Sequence, residues 1–420
     1  TAVRRQQGLA SLPTFIDGRS PLKIPARTKC TVLLDQRFLT TAYPELKVSG
    51  GKGSKIKLTY SEALFDERGK GNRNEIDGRE CRGFADEFLP DGADGRLFRP
   101  LWFKTYRYIQ LDIETGAAPL VVEDLYGIYT GYPFEVRGSF ESDDPALEKI
   151  WETGWRTARL CAHETYFDCP YYEQLQYAGD TRIQALISLY VSGDDRLVRK
   201  AIRMYDLSRS YEGITCSRYP SHIPQYIPPF SLYWIGMIHD YWMHRSDDAF
   251  VRSFLPGIRT VLSWFTEKID PHTGLLKNGL PHWNFTDWAT SWERGIAPES
   301  DSSGSAITTL QLAAALDDAA DLMRRYDRPA EAKEYAAISA GLKKNVYEKC
   351  WDASKGLLRD YIGSPTYSQH VNIMGILTDA IPHKDQRAVF ERIDSDPSLT
   401  QTTFYYKFYL IRALKKVGLA

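Results

Sequence analysis

Two regimes of hydrophobic patterning divide the chain, and they meet at Ser142-Asp143-Asp144. Before that point short apolar runs alternate with polar residues at a spacing of two, which marks half-buried strands. The stretch from Ser54 to Tyr60 shows this most clearly. Thr31-Val32-Leu33-Leu34, Leu46-Lys47-Val48, Leu101-Trp102-Phe103, the stretch from Tyr106 to Ile113, Val121-Val122 and Ile128-Tyr129 add further strand candidates. Turn residues separate them, as in Gly50-Gly51-Lys52-Gly53. Residues 64–98 are polar and rich in Gly, Asp and Arg, and read as one long loop. The expectation for residues 1–143 is an antiparallel β-sandwich.

The second regime opens with Asp144-Pro145, a capping residue followed by a first-turn proline. From there apolar residues recur at helical spacing. Predicted helices cover 145–163, 180–192, 195–209, 230–245, 247–268, 304–326, 329–349, 366–379, 384–393 and 402–417. Their connections are mostly short, apart from long ones at about 210–229 and 270–303. The expectation for residues 144–420 is an (α/α)6-type toroid, built from helical hairpins, with loops at one end lining a cleft. The pattern supplies about ten helices, so the last hairpin is expected to be missing and the toroid C-terminally incomplete.

Composition narrows the partners. The 420 residues carry 53 Lys and Arg against 54 Asp and Glu, a balance that argues against nucleic acid or an anionic membrane as partner. No stretch is apolar for long enough to span a membrane. The six cysteines are scattered, without zinc-like Cys/His spacing, so the reading calls for no metal and no cofactor. Cys161 and Cys169 read as buried reduced thiols. Oligomeric state and compartment are not legible. The ten Trp and 26 Tyr fit a packed core together with a few rings in a carbohydrate cleft.

Candidate chemistry concentrates in the stretch from Asp168 to Asp180, where three carboxylates, Asp168, Glu173 and Asp180, stand among tyrosines within thirteen residues. Pro170 and Gly179 make the segment a loop, with a helix starting near Asp180. Carboxylates suit proton transfer and hydroxyl contacts, and rings suit the apolar faces of a pyranose. A helix-capping Asp and a solvated Glu on a surface loop account for the same residues, and composition alone does not separate the two.

The order Asp168-Cys169-Pro170, Glu173, an aromatic at 177 and Gly179-Asp180 resembles the acid loop of the bacterial α-L-rhamnosidases, the inverting glycosidases of glycoside hydrolase family 78. Most members carry Arg-Asp-Glu-Arg before a Trp. Here Tyr172-Glu173-Gln174 and Tyr177 stand in those places and the loop is one residue shorter, as in the Tyr-Tyr-Glu-Gln subgroup. The Asp287-Trp288 pair is similar to the family's Asp-Trp sugar-binding loop, and Trp234 matches a substrate-facing Trp. The resemblance implies hydrolysis of terminal α-L-rhamnose with inversion, on glycosides or polysaccharides. It makes Glu173 the general acid and Asp168, Asp180, Tyr177, Trp234, Asp287 and Trp288 the substrate-binding set.

A glycosidic oxygen leaves poorly without a proton, so the acid has to hold one near neutral pH, which like charges and apolar surroundings promote. Inversion also needs a second carboxylate, about 6.5–9.5 Å from the first, to activate water. In the family that base follows an aromatic-rich helix, which residues 401–410 resemble, and it is therefore expected beyond Ala420. Asp287 and Glu293 are the substitutes within the chain. His222 and His370 read as packing or hydrogen-bonding histidines more than as catalysts. A toroid glycosidase of other sugar specificity, or a carbohydrate-binding relative without turnover, would share most of these features, and the Asp168–Asp180 loop favours rhamnose.

Overall fold

The computed structural model describes residues 1–10 and 20–420, and the chain folds as two compact units. The first, here the β unit, comprises Thr1–Pro133, Ser142–Glu164 and Cys169–Gln174; the second, the helical unit, comprises Phe134–Glu141, Thr165–Asp168 and Leu175–Ala420. Among the described residues no helix is long and apolar enough to cross a membrane.

The β unit is organised by strand β3, Lys29–Gly50. It follows β1 (Ala2–Gln7) and β2 (Leu22–Ile24), and precedes β4 (Lys55–Ser61), β5 (Phe65–Asp66), β6 (Gly69–Lys70), β7 (Ala85–Phe88), β8 (Arg96–Phe98), β9 (Lys104–Glu114) and β10 (Leu120–Tyr129). One eight-stranded antiparallel sheet runs in the order β2-β10-β3-β9-β4-β7, with β1 and β8 also paired to β3. Strand β3 pairs with β1, β8, β9 and β10 and breaks its register with β9 between Asp35 and Thr40. At the break Arg37 has a positive φ of 70°, and its N–H donates to the buried Asp35 carboxylate at 2.7 Å. Alternation puts Val32, Leu34, Leu46 and Val48 of β3 into one core with Ile56 and Leu58 of β4 and Leu111 and Ile113 of β9.

Residues 64–98, expected as a loop, contain the short strands β5, β6, β7 and β8. Their few apolar positions hide the alternation that longer strands display. Helix α1, Pro145–Leu160, belongs to the β unit rather than to the helical one. The Arg156 guanidinium donates to Leu39 O at 3.1 Å and lies 4.1 Å over the Phe38 ring, and His163 just beyond the helix stacks on Phe103 at 4.4 Å.

The helical unit holds α2 (Ala178–Val191), α3 (Arg196–Leu207), α4 (Pro228–His244), α5 (Asp248–Arg252), α6 (Leu255–Thr266), α7 (Ala306–Arg325), α8 (Pro329–Cys350), α9 (Gln369–Leu377), α10 (His383–Ser395) and α11 (Lys407–Lys416). The span expected as one helix over 247–268 is two, because Pro256 lacks the N–H a continuous helix needs at that point and sits instead in the first turn of α6. Helices α2, α4, α7, α9 and α11 pack one on the next, and α3, α6, α8 and α10 cover them. The packed row is apolar on most sides, as α4 and α9 show, whereas α3 is strongly amphipathic. Inside the row Arg182 of α2 donates to Asp240 of α4 at 2.7 Å, and Gly236 leaves room for the guanidinium. A methyl group at Gly236 would stand 2.4 Å from it.

Gly83 sets the closest backbone approach in the β unit. A Cβ there would lie 1.9 Å from Tyr60 O and 2.3 Å from the Tyr171 hydroxyl. Gly83→Ala is therefore expected to cost about 1–3 kcal/mol through forced backbone displacement, read as a lower urea midpoint with an unchanged slope.

Candidate active site

The sequence places the candidate acid on a six-residue segment, Cys169–Gln174, that folds with the β unit. The segment is a tight turn. Gln174 N–H donates to Cys169 O at 3.2 Å, Glu173 N–H to Cys169 Sγ at 3.3 Å, and Gln174 has a φ of 54°. Its other residues are tied down. The Tyr171 hydroxyl donates to Tyr60 O at 2.8 Å and accepts from Phe84 N–H at 3.1 Å. Burial pushes that phenol up to about 12, so it serves as an anchor and not as a proton source. Thr105 Oγ1 donates to Pro170 O, and Trp102 Nε1 donates to Gln174 Oε1 at 2.8 Å. Glu173 itself is exposed, and its carboxylate makes no hydrogen bond or ion pair among the described residues.

Asp168, Tyr177 and Asp180 lie in the helical unit. Asp168 closes its own loop: its N–H donates to Leu175 O at 2.8 Å, and its Oδ1 accepts from Leu175 N–H at 3.0 Å. Asp180 is half-buried in the first turn of α2, where a carboxylate meets the positive end of the helix dipole. The helix begins at Ala178, so Asp180 is inside it and Tyr177 is the capping residue. The Tyr177 hydroxyl accepts from Arg218 at 3.0 Å, and its ring meets Phe230 edge-on at 6.3 Å.

The second long loop builds an aromatic wall. Trp283, Phe285 and Trp288 contact one another at 5.1–5.9 Å, and Phe285 also meets Phe230 at 5.9 Å and Tyr405 at 6.5 Å. Trp288 is 62% exposed, so one large ring face of this wall meets solvent.

Beside it, Asp287, expected to contact sugar, is fully buried. One oxygen accepts from His370 Nε2 at 2.8 Å and from Thr403 N–H at 2.9 Å, and the other from the Thr403 hydroxyl. Three donors satisfy the charge, which is what burial of a carboxylate requires. The same bonds leave Asp287 unsuited to activating water. Burial lowers the His370 pKa below 6.5 and outweighs the raising effect of Asp287, so the ring is a neutral donor through Nε2. Trp292 and Tyr406 pack on it at 4.3 and 4.6 Å.

Trp234 is also fully buried, and its indole N–H is committed to Ile202 O at 3.0 Å. Because α4 starts at Pro228, Trp234 falls in its second turn and packs against α3 and Phe254, rather than facing a sugar. Glu293 is exposed at the start of a short 3-10 turn, and His222 is exposed.

Thr403, Arg218 and the Arg182–Asp240 pair were not anticipated from sequence. Only Arg182 carried a signal, as the one basic residue of α2. Thr403 and Arg218 have none, because each partner lies far along the chain.

Histidine burial carries a pH signature. The folded imidazole has the depressed pKa, so as pH falls through about 6.5 the unfolded chain takes up the proton first. The stability contributed by neutral His370 is whole above that pH and drains away below it. Urea midpoints measured from pH 7.5 to 5 should fall for the native chain, and His370→Gln should start lower and show a shallower decline.

Comparison with known proteins bears on these features together. Residues 135–416 match the bacterial alpha-L-rhamnosidase 6 hairpin glycosidase domain. A search of curated protein sequences gives no match. Among solved structures the chain is similar to a GH78-family rhamnosidase of Bacillus sp. GL1, at 23% identity and a TM-score of 0.85 over 97% of this chain and 43% of that one. It is similar to a rhamnosidase from Klebsiella oxytoca with rhamnose bound, at 18% identity and a TM-score of 0.80 over 100% and 82% of the two chains. A Streptomyces avermitilis α-L-rhamnosidase complexed with L-rhamnose aligns at 17% identity and a TM-score of 0.69, over 95% of this chain and 37% of that one. The chain thus spans less than half the length of the Bacillus protein. These likenesses are of fold, and membership rests on the match over residues 135–416: the chain belongs to the bacterial α-L-rhamnosidase six-hairpin glycosidase family.

Proposed function

We propose that this protein is a glycoside hydrolase that releases terminal α-L-rhamnose with inversion, with Glu173 as the general acid. The observation that carries the reading is a carboxylate without a partner among the described residues, on a segment anchored at Pro170, Tyr171 and Gln174. A catalytic acid needs that combination: a fixed main chain for aim, and an uncommitted carboxyl to hold and release a proton. Family membership supplies the sugar class, since the structures from Klebsiella oxytoca and Streptomyces avermitilis carry rhamnose.

In this scheme the Glu173 carboxyl gives its proton to the glycosidic oxygen as the bond to C1 breaks. The leaving group departs as a neutral alcohol. A water oxygen bonds to C1 from the opposite face, and the water's proton passes to a second carboxylate, for which the exposed Glu293 is the remaining candidate of the two named within the chain. Asp168 and Asp180 contact sugar hydroxyls, and Tyr177 and the exposed Trp288 offer ring faces to the pyranose. Asp287 acts indirectly, by holding the loop that presents Trp288, and Trp234 packs α4 on α3.

The Glu173→Gln variant tests the assignment. Hydrolysis of a rhamnosyl disaccharide should drop by a factor of about 10²–10⁴. Hydrolysis of a nitrophenyl rhamnoside, whose leaving group needs little protonation, should fall far less. An equal loss on both substrates, or none on either, would remove Glu173 from the role.

A further inference from the structure

Three aromatic rings of the β unit stand more than half exposed around one pocket: Phe84 at 54%, Trp102 at 54% and Tyr172 at 55%. The pocket measures about 290 Å³, and Lys104, Tyr171 and Gln174 also line it. Tyr171 meets Phe84 at 5.1 Å and Tyr172 at 4.6 Å, so the rings form one connected surface. From this arrangement we infer that the pocket is the leaving-group site, and that it accepts a flat, unsaturated ring system in preference to a sugar.

The position follows from Glu173. The residues on either side of it, Tyr172 and Gln174, both line the pocket. Adjacent Cα atoms are about 3.8 Å apart, so the backbone of the acid borders the pocket directly. A general acid protonates the leaving group's oxygen and therefore stands on that side of the scissile bond. This step rests on the function proposed above.

Preference for a flat ring follows from the polar inventory. A pyranose presents a hydroxyl at most carbons, and each needs a partner when it leaves water. The polar atoms of this lining are largely committed to one another. Gln174 accepts from Trp102 at 2.8 Å and donates to Pro170 O at 2.9 Å. The Lys104 ammonium is held by Asp86 at 3.1 Å, and the Thr105 hydroxyl by Pro170 O. The Tyr171 hydroxyl both donates and accepts within the protein. Apart from the Tyr60 and Tyr172 hydroxyls, what remains open is ring surface, which stacks on a planar partner.

Phe84 is the side chain to probe, since only its backbone N–H, which substitution leaves in place, takes part in holding the acid segment. Binding of free 4-methylumbelliferone is followed by its fluorescence. Hydrolysis of 4-methylumbelliferyl α-L-rhamnoside is compared with that of a rhamnosyl disaccharide. The expected result is at least a tenfold loss of 4-methylumbelliferone affinity in Phe84→Ala, with retention in Phe84→Tyr. KM for the aryl rhamnoside should rise similarly, and KM for the disaccharide by less than threefold. Equal effects on both substrates, or none on either, would overturn the assignment while leaving the hydrolytic reading intact. Phe84-dependent 4-methylumbelliferone binding without hydrolysis of any rhamnoside would refute the hydrolytic reading, and the leaving-group role with it.

Discussion

A buried carboxylate is tolerated only when its charge is met, and the helical unit turns on one such group. Asp287 lies in the long loop between α6 and α7, His370 in the first turn of α9, and Thr403 just before α11. A hydrogen bond to a buried charged group contributes about 1.5–3 kcal/mol, so the three segments are held as a set. The loop has few other ways to be fixed. Thr286 and Asp287 both donate their N–H groups to Gly295 O, and Gly295, at a φ of 71°, could carry a side chain only by striking the Phe285 ring at 2.6 Å. With Asp287 anchored below, Trp288 is left facing solvent. The function proposed for that ring therefore depends on a residue that touches no sugar.

The β unit solves the opposite problem, which is to keep one carboxylate free. The turn at Cys169–Gln174 is held at Pro170, Tyr171 and Gln174, by Thr105, Tyr60, Phe84 and Trp102. Those four residues come from β4, the approach to β7, the connection after β8 and the start of β9. The sheet thus acts as the mount for a residue that makes no side-chain bond of its own among the described residues. It also leaves the three exposed rings beside that residue, with their hydrogen-bonding neighbours already engaged.

Sequence pattern was informative wherever the physics is local. Asp144 does cap α1, its side chain accepting from Ala146 N–H at 2.8 Å, and helix positions follow the 3.6-residue period closely. Pro256 was visible, yet its power to split 247–268 depends on context that periodicity does not record. The short strands within 64–98 escaped because they are too short to alternate. Among candidate site residues, the density of acids and tyrosines from Asp168 to Asp180 was legible as chemistry. Burial was not. Asp287 and Trp288 are adjacent in sequence, and one is fully buried while the other is mostly exposed. Only the fold of the loop around Gly295 separates them. The burial of Trp234 was hidden for a related reason, since a Trp near a helix start reads the same whether it faces a cleft or the α3 backbone.

The proposed activity is cleavage of a rhamnoside with inversion. Proton NMR of an aryl α-L-rhamnoside incubated with the protein tests it most directly, because the anomer formed first records the face from which water attacked. The account predicts that β-L-rhamnose appears first and then mutarotates toward the equilibrium mixture. Appearance of the α anomer first, or no release of rhamnose, would contradict it.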